Sequence, residues 1–157
     1  TCIEKEVFLI LNDRVELAKE LNVGGVHLGR EDMPPSKARM MLGPAAVIGV
    51  TANTYSDIIS VSALDIDYYG IGPFRHTTTK KNLSPVLGID GIRKICYEME
   101  ENHIEIPRVA VGGIGYDDIL PLLEAGVNGV AVSGAIANAS DIAAETKRFI
   151  SLLPTHE

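Results

Sequence analysis

The 157-residue sequence has few basic residues, no long apolar run and only two cysteines, and each of these shortages argues against a class of protein. It is poor in basic residues: 14 Lys and Arg stand against 21 Asp and Glu, a net charge of −7, whereas a nucleic-acid-binding surface is normally basic. No apolar run approaches the ~20 residues that a membrane-spanning helix needs. The cysteines, Cys2 and Cys96, form neither a CxxC pair nor a Cys/His cluster. We therefore predict a cytoplasmic protein with reduced thiols and with no nucleic-acid or membrane partner.

What the sequence does contain is a strand followed by a helix, six times over. A chain of this length is expected to form one domain, here residues 1–157. Apolar segments predict strands, and segments with helical spacing of apolar residues predict helices. The strands are predicted at 7–11 (fully buried), 25–29, 46–51, 68–74, 108–114 and 129–136, and the helices at 15–21, 35–42, 56–64, 88–101, 116–126 and 142–153. Such alternation predicts a parallel sheet with helical crossovers.

The residues that follow the strands distinguish between two parallel architectures. A doubly wound sheet usually shows one Gly-rich fingerprint after its first strand. Here nearly every strand ends in polar or Gly-rich sequence: NDR, GRED, TAN, GPFRHTTTK, GGIG and SGAI. A (β/α)8 barrel collects its site in this way, from the loops at the carboxyl ends of its strands. We therefore predict the α/β class and a TIM barrel, of which this chain contains the last six βα units and lacks the two N-terminal ones.

Two carboxylates follow the first two predicted strands. Asp13 comes directly after one strand and Asp32 comes shortly after the next. Neighbouring parallel strands end at one face, so both side chains could bind one Mg²⁺, which takes one or two carboxylates together with waters and phosphates. Asp is also a good N-cap, so each could instead cap the helix that follows. Spacing leaves both explanations open, although capping does not account for Asn12 beside Asp13.

Later loops favour phosphate binding. The stretch RHTTTKK, residues 75–81, combines three hydroxyls with Arg and Lys and contains no acid, and such groups suit phosphate oxygens. A merely solvated loop is the alternative. The pair Gly112–Gly113 and the pair Ser133–Gly134 follow what would be the seventh and eighth strands of a complete barrel. Barrels often bind a phosphate at those two loops.

The remaining side chains offer no sign of covalent catalysis. His27 lies inside a predicted strand, where we expect a packed, hydrogen-bonded histidine rather than a catalytic one. The sequence shows no Ser/His/Asp set, no catalytic Cys/His pair and no zinc-ligand spacing. The predicted chemistry is therefore the binding of metal ions and phosphates.

These blocks, in this order, resemble the thiamine phosphate synthase family. The family's INDR, HLGQED, GVSAHT, GPxxPTxTK, IGGI and GVxxxSAI stand here as LNDRVELA, GVHLGREDMP, IGVTANT, GIGPFRHTTTKK, VGGI and GVAVSGAI. The resemblance covers nearly the whole chain, and NDR with GxED at matching separation, followed by TxTK, is quite specific. It implies a barrel enzyme that joins hydroxymethylpyrimidine diphosphate to thiazole phosphate and releases pyrophosphate, with Mg²⁺ as its metal ion.

The resemblance also implies a role for individual residues. Asp13 and Asp32 would bind Mg²⁺ and, with Lys80, would be the catalytic groups that stabilise the departing diphosphate. The thiazole nitrogen is already a nucleophile and needs positioning rather than deprotonation, so no general base is expected. The implied substrate contacts are Asn12 to the pyrimidine, Thr51 and Lys80 to the diphosphate, and Thr77, Thr78, Thr79, Gly113, Ser133 and Gly134 to the thiazole phosphate. A homo-oligomer is left open.

The sequence departs from the family pattern at four positions. Thr51 replaces a Ser and keeps its hydroxyl, while Asn53 and His76 replace a His and a Pro. Gly134 replaces a Ser, so its backbone N–H remains but a hydroxyl is lost. Two alternatives remain beside the synthase. One is a thiazole tautomerase-type isomerase on the same barrel, which would need neither the acid pair nor the TxTK loop. The other is a non-catalytic phosphate-binding relative.

The resemblance also implies segments without a counterpart in these 157 residues. They are the family's first two βα units, with a Gln-x-Arg-x-Lys run that grips the pyrimidine diphosphate. Their absence would also expose two sheet edges, which favours misassembly. We therefore expect the isolated chain to be inactive, an expectation that robust turnover by the chain alone would contradict.

Overall fold

The computed structural model describes residues 2–76 and 85–152, and the chain forms two compact units, Thr1–Gly70 (unit 1) and Ile71–Glu157 (unit 2). The strands are β1 (Ile10–Asn12), β2 (Gly25–Leu28), β3 (Val47–Ala52), β4 (Tyr68–Ile71), β5 (Arg108–Val111) and β6 (Gly129–Ala131). The helices are α1 (Val15–Leu21), α2 (Pro35–Leu42), α3 (Tyr55–Val61), α4 (Gly88–Glu101), α5 (Ile119–Glu124), α6 (Gly134–Ala137) and α7 (Ile142–Ile150).

The predicted alternation of strands and helices is confirmed. The strands follow the chain order in the sheet, β1-β2-β3-β4-β5-β6, and β1 with β2, β2 with β3, and β5 with β6 pair in parallel. Helices α1, α2 and α4 occupy the predicted residues. The α/β class follows directly from this topology.

The first predicted strand is shifted and is not fully buried. We expected a buried strand at 7–11, but β1 spans Ile10–Asn12, and Val7 and Phe8 are 58% and 61% exposed. An unbroken apolar run predicts a strand that is buried on both faces, but residues 7–9 lie outside β1. The prediction was therefore wrong in its bounds and in its burial.

The last predicted strand is shorter than expected. The apolar segment 129–136 was predicted as one strand, but β6 ends at Ala131 and Gly134–Ala137 form the short helix α6. Short apolar runs do not distinguish strand from helix by periodicity. Likewise, the helix predicted at 116–126 begins as a 3-10 turn, Tyr116–Asp118, before α5.

The strands of unit 1 present two different faces. The register pairs Val26 with Ile48 and His27 with Gly49. Because side chains alternate along a strand, these pairs lie on opposite faces. The face of Val26, Leu28 and Ile48 is fully buried. His27, Gly49 and Thr51 lie on the other face, so polar side chains on that face can bind a ligand.

In unit 2 the core is organised by α4 and the start of β5. Helix α4 buries one stripe at helical spacing: Ile92, Ile95, Cys96 and Met99. The half-buried guanidinium of Arg108, in β5, donates to the Cys96 carbonyl at 2.9 Å and to Glu100 Oε1 at 3.3 Å, which connects the strand to the helix. Burial raises the pKa of the Cys96 thiol, and both cysteines are free, as expected for unreactive reduced thiols.

Gly25 and Gly129 each begin a strand, but only Gly129 has room for a side chain. A Cβ on Gly25 would lie 2.1 Å from the backbone oxygen of Val47, whereas a Cβ on Gly129 would meet nothing within 4 Å. We predict that Gly25→Ala lowers the free energy of unfolding by at least 1–3 kcal/mol, roughly the range for overpacking, because a backbone atom must move. Gly129→Ala, the matched control, should change it by less than about 1 kcal/mol. Urea denaturation measures both, and equal effects would contradict the packing described for β2 and β3.

Candidate active site

Asp13 directly follows β1 in a left-handed conformation, with φ of 64°. Its N–H donates to the carbonyl of His27 at 2.9 Å, and Asn12 Nδ2 donates to Asp13 Oδ2 at 3.5 Å. A non-glycine residue in this conformation costs roughly 1–2 kcal/mol, although Asp and Asn tolerate it best. Helix α1 has Arg14 as its N-cap, without a side-chain bond. Asp13 is therefore not the N-cap residue of α1, and its left-handed backbone is the strained feature at this strand end.

Asp32 closes the turn that follows β2. Its Oδ2 accepts the N–H of Gly29 at 2.6 Å, which fixes the direction of the carboxylate. Helix α2 has Pro34 as its N-cap, so Asp32 does not cap that helix. Among the residues that the structure describes, the turn uses one carboxylate oxygen of Asp32 and no hydrogen bond to the other is seen.

The donor set at these strand ends fits Mg²⁺. Asn12, Asp13 and Asp32 supply amide and carboxylate oxygens from the carboxyl ends of two paired strands. Among residues 2–76 and 85–152 no group of three or more His, Cys, Asp or Glu side chains could hold a metal ion. Two carboxylates completed by water and phosphate are the arrangement that Mg²⁺ commonly uses.

A cavity of about 310 Å³ in unit 1 is lined by one member of this donor set, Asp32, and not by Asn12 or Asp13. Asp32 and Thr51 both line it, together with Arg30, Met33 and Val61. The structure thus brings a predicted metal ligand and the predicted diphosphate contact to one cavity. Thr51 is half-buried, and it lies on the same face of the strands as His27.

Asp57 anchors the turn that follows β3. Its Oδ2 accepts the N–H groups of Asn53 and Thr54 at 3.0 and 2.9 Å, and Arg30 pairs with its Oδ1. Burial acts to raise the pKa of Asp57, but these hydrogen bonds and the Arg30 charge outweigh it and hold the pKa below its usual value. The turn at Asn53, one departure from the family pattern, is therefore held by a charged capping residue.

In unit 2, Gly112 and Gly113 form the predicted glycine turn after β5. Their φ angles are 97° and 65°, a conformation that favours glycine. A Cβ on Gly112 would lie 2.8 Å from Pro73 Cβ, and one on Gly113 would lie 3.0 Å from Arg75 Cβ. The backbone N–H of Arg75 donates to the Gly112 carbonyl at 2.9 Å. Both glycines are therefore required by conformation and by close approach.

Arg75 is bound to the protein and is not a free cation. We predicted it among the phosphate-binding groups of 75–81, but its Nη2 donates to Asp118 Oδ1 at 2.6 Å, and its Nη1 pairs with Oδ2 of the same residue. Asp118 Oδ2 also accepts the N–H of Gly115 at 2.8 Å. The sequence could not show that this acid, 43 residues away, is the partner of Arg75, and phosphate binding by the stretch stays a prediction. The pair holds the segment beside the Gly112–Gly113 turn.

Ser133 and Gly134 follow β6, whose Ala131 pairs with Val111 of β5. The two glycine-containing turns of unit 2 therefore leave the same end of paired strands. Ser133 is the N-cap of α6 without a side-chain bond, and Ser133, Gly134 and Gly113 are exposed. Their backbone groups are accessible to a ligand.

The predicted residues Thr77, Thr78, Thr79 and Lys80 lie outside the described residues. Sequence reasoning missed Asp118, although an acid at the start of the helical segment after GGIG was a signal for a capping role. It also missed the partners of His27. None of the helices that the structure describes has both the length and the apolar character needed to cross a membrane.

The family model described as thiamine monophosphate synthase matches residues 1–136. The chain belongs to this family. It is 56% identical over 151 residues to a protein of Bacteroides thetaiotaomicron named thiamine-phosphate synthase, with 96% of this chain and 72% of the relative covered. A Bacteroides fragilis protein of the same name is 57% identical over 151 residues and is covered to 74%. The resemblance read from the sequence blocks is confirmed.

Solved structures confirm the barrel type of fold. The thiamine phosphate pyrophosphorylase of Pyrococcus furiosus matches with a TM-score of 0.79 and 31% identity, covering 96% of this chain and 69% of that one. A 3-hexulose-6-phosphate synthase structure matches with a TM-score of 0.69 and 14% identity, covering 97% and 76%. The second likeness concerns the fold alone.

The Arg75–Asp118 pair predicts an acid-dependent loss of stability. The hydrogen bond from Arg75 lowers the pKa of Asp118 from its ordinary 3.8, and the N–H of Gly115 adds to this. The stabilisation is therefore fully present above pH ~4 and is lost as the pH falls through the lowered pKa of the folded state. We expect Asp118→Asn to flatten the decline in unfolding free energy between about pH 4 and pH 2.

The matched control is Asp117→Asn, which changes an exposed neighbour of Asp118. It should leave the acid decline as in the unchanged protein. Urea denaturation at several pH values measures the slopes, and identical slopes for both variants would contradict the role of the pair.

Proposed function

We propose that the protein is a transferase that joins hydroxymethylpyrimidine diphosphate to thiazole phosphate, giving thiamine phosphate and pyrophosphate. Membership of the thiamine monophosphate synthase family supports the reaction class. The observation on this chain that carries the proposal is that Asp32 and Thr51, the proposed metal ligand and the proposed diphosphate contact, line one cavity. Both substrates are small molecules, and we assign the enzyme to the cytoplasm.

Asp13 and Asp32 are the proposed ligands of Mg²⁺. When bound, the metal ion supplies positive charge that stabilises the diphosphate as it departs. Asp13 has a left-handed backbone next to α1, and the bond from Gly29 N–H orients the Asp32 carboxylate. The Asp32 carboxylate is therefore held before substrate arrives, so it needs little reorganisation during the reaction.

The other residues bind and orient the two substrates. Asn12 is proposed to contact the pyrimidine, and Thr51 to donate to the diphosphate. Lys80 and Thr77–Thr79 keep the roles expected from the resemblance. In unit 2, backbone N–H groups of Gly113, Ser133 and Gly134 are proposed to bind the thiazole phosphate. The bond from the pyrimidine methylene to the diphosphate breaks, and a bond to the thiazole nitrogen forms. No step removes a proton from that nitrogen, so the proposal includes no general base.

The alternatives receive less support. A thiazole tautomerase-type isomerase would not need the acid pair, and the relatives reported above carry the synthase name. A non-catalytic phosphate-binding relative would bind pyrophosphate with Mg²⁺ but would form no product. Thiamine phosphate formation by the natural full-length protein in the presence of Mg²⁺ separates this case from the synthase.

The acid pair is tested by Asp13→Asn in the natural full-length protein. Asn has the same size and tolerates the left-handed conformation, so the variant should fold, but it loses the charge. We predict Mg²⁺-dependent thiamine phosphate formation by the unchanged protein. In the variant we expect a fall of about 10² or more, the range found when a group that stabilises transition-state charge is removed.

The matched control is Glu16→Gln, an exposed acid in the first turn of α1. It should retain full turnover at every Mg²⁺ concentration. Equal turnover by Asp13→Asn and Glu16→Gln would contradict the assigned role of Asp13. No product from the folded full-length protein would leave the binding relative as the better description.

A further inference from the structure

Three polar side chains on neighbouring strands of unit 1 form a hydrogen-bonded row. His27 Nδ1, on β2, lies 3.0 Å from the hydroxyl oxygen of Tyr68, on β4. His27 Nε2 lies 2.9 Å from Oγ1 of Thr51, on β3. Both distances are those of well-formed hydrogen bonds. All three residues are half-buried, and Thr51 also lines the cavity shared with Asp32.

Gly49 is what allows this row to form. The strand β3 lies between β2 and β4 in the sheet order, and Gly49 is the register partner of His27. A Cβ on Gly49 would lie 2.1 Å from Tyr68 Cζ, so the tyrosine ring occupies the space of the missing side chain. The His27 and Tyr68 rings approach to 5.5 Å between centroids. A glycine inside a strand is unfavourable by itself, and here it marks a close approach.

The chemistry of the three groups favours one direction for the hydrogen bonds. A neutral imidazole has one N–H donor and one acceptor nitrogen, so both directions depend on its tautomer. Burial raises the pKa of Tyr68, which keeps its hydroxyl protonated. A phenol, with an ordinary pKa of about 10, is a stronger donor than an aliphatic hydroxyl, which favours the tautomer in which Tyr68 donates to Nδ1 of His27. In that tautomer Nε2–H donates to Thr51 Oγ1, and the Thr51 proton points away from the histidine.

We propose that His27 and Tyr68 are positioning residues that hold the Thr51 hydroxyl as a hydrogen-bond donor to the diphosphate of the substrate. Phosphate oxygens only accept hydrogen bonds, so a hydroxyl helps them only when its proton points toward them. In the reverse direction Thr51 would donate to His27 and would present lone pairs to the anion. This inference rests on the proposed function, because Thr51 is the proposed diphosphate contact.

Neighbouring tyrosines provide a matched pair of variants. Tyr68→Phe keeps the ring over Gly49 and removes only the hydroxyl that bonds His27. Tyr69→Phe removes a hydroxyl that donates to the Ile58 carbonyl at 3.2 Å, in a fully buried residue. We expect Tyr68→Phe to lower kcat for thiamine phosphate formation roughly three- to tenfold, the effect of one lost hydrogen bond. Tyr69→Phe should lower thermal stability and leave kcat unchanged.

A double-mutant cycle tests whether Tyr68 acts through Thr51. Thr51→Val removes the hydroxyl with little change in shape, and Tyr68→Phe added to it should cause no further loss of kcat. Thr51→Ser, which restores a hydroxyl, should restore most of the activity. Multiplicative losses in the double variant, with Thr51→Ser as impaired as Thr51→Val, would overturn the proposal.

The histidine tautomer can be measured without any turnover. Nitrogen-15 NMR of the His27 ring should show a protonated Nε2 and an unprotonated Nδ1, and a protonated Nδ1 would overturn the assigned direction. An active protein in which Tyr68→Phe and Tyr69→Phe have equal kcat would overturn this inference and leave the proposed function intact. A folded full-length protein that makes no thiamine phosphate would overturn the proposed function instead, and with it the diphosphate as the partner of Thr51.

Discussion

The parallel register of the strands in unit 1 is the constraint on which the candidate site depends. Asn12 is paired with His27, and His27 with Gly49, so the three strands end at the same edge. Asp13 and the turn closed by Asp32 follow β1 and β2 at that edge, and Thr51 lies near the end of β3. The alternation of side chains then separates a buried apolar face from a polar face. One pattern of backbone hydrogen bonds therefore places both the core and the proposed ligands.

Several local features cost stability and are explained by the site. Asp13 is held in a left-handed conformation, Gly49 leaves a strand without a side chain, and His27 and Thr51 bring polar groups into a half-buried position. Proteins accumulate such costs where function requires a particular geometry. In unit 2 the positive φ angles of Gly112 and Gly113 are likewise a particular geometry beside a proposed substrate contact. The Arg75–Asp118 pair holds the adjacent segment in place.

Features that depend on neighbouring residues in the chain could be predicted from the sequence, whereas features that depend on distant residues could not. Helices α1, α2 and α4 were predicted with their observed bounds, because amphipathic spacing is a local signal. The predicted start of β1 was wrong, because pairing with β2 begins only at Ile10 and apolar composition does not show where pairing begins. His27 was expected to be packed and hydrogen-bonded, but its contact with Tyr68 spans 41 residues, and the sequence alone does not reveal such a partner. The N-caps of α1 and α2, Arg14 and Pro34, likewise could not be identified from the sequence, which offered Asp13 and Asp32 as capping candidates.

The most direct test of this account is the binding of Mn²⁺, as a spectroscopic substitute for Mg²⁺, in the presence of pyrophosphate. Electron paramagnetic resonance distinguishes free from bound Mn²⁺ in the full-length protein and in an Asp32→Asn variant. The account predicts that pyrophosphate and the unchanged protein together bind Mn²⁺, and that the variant binds it much more weakly. Equal binding by the two proteins would contradict the claim that the carboxylates after β1 and β2 hold the metal ion and, through it, the diphosphate.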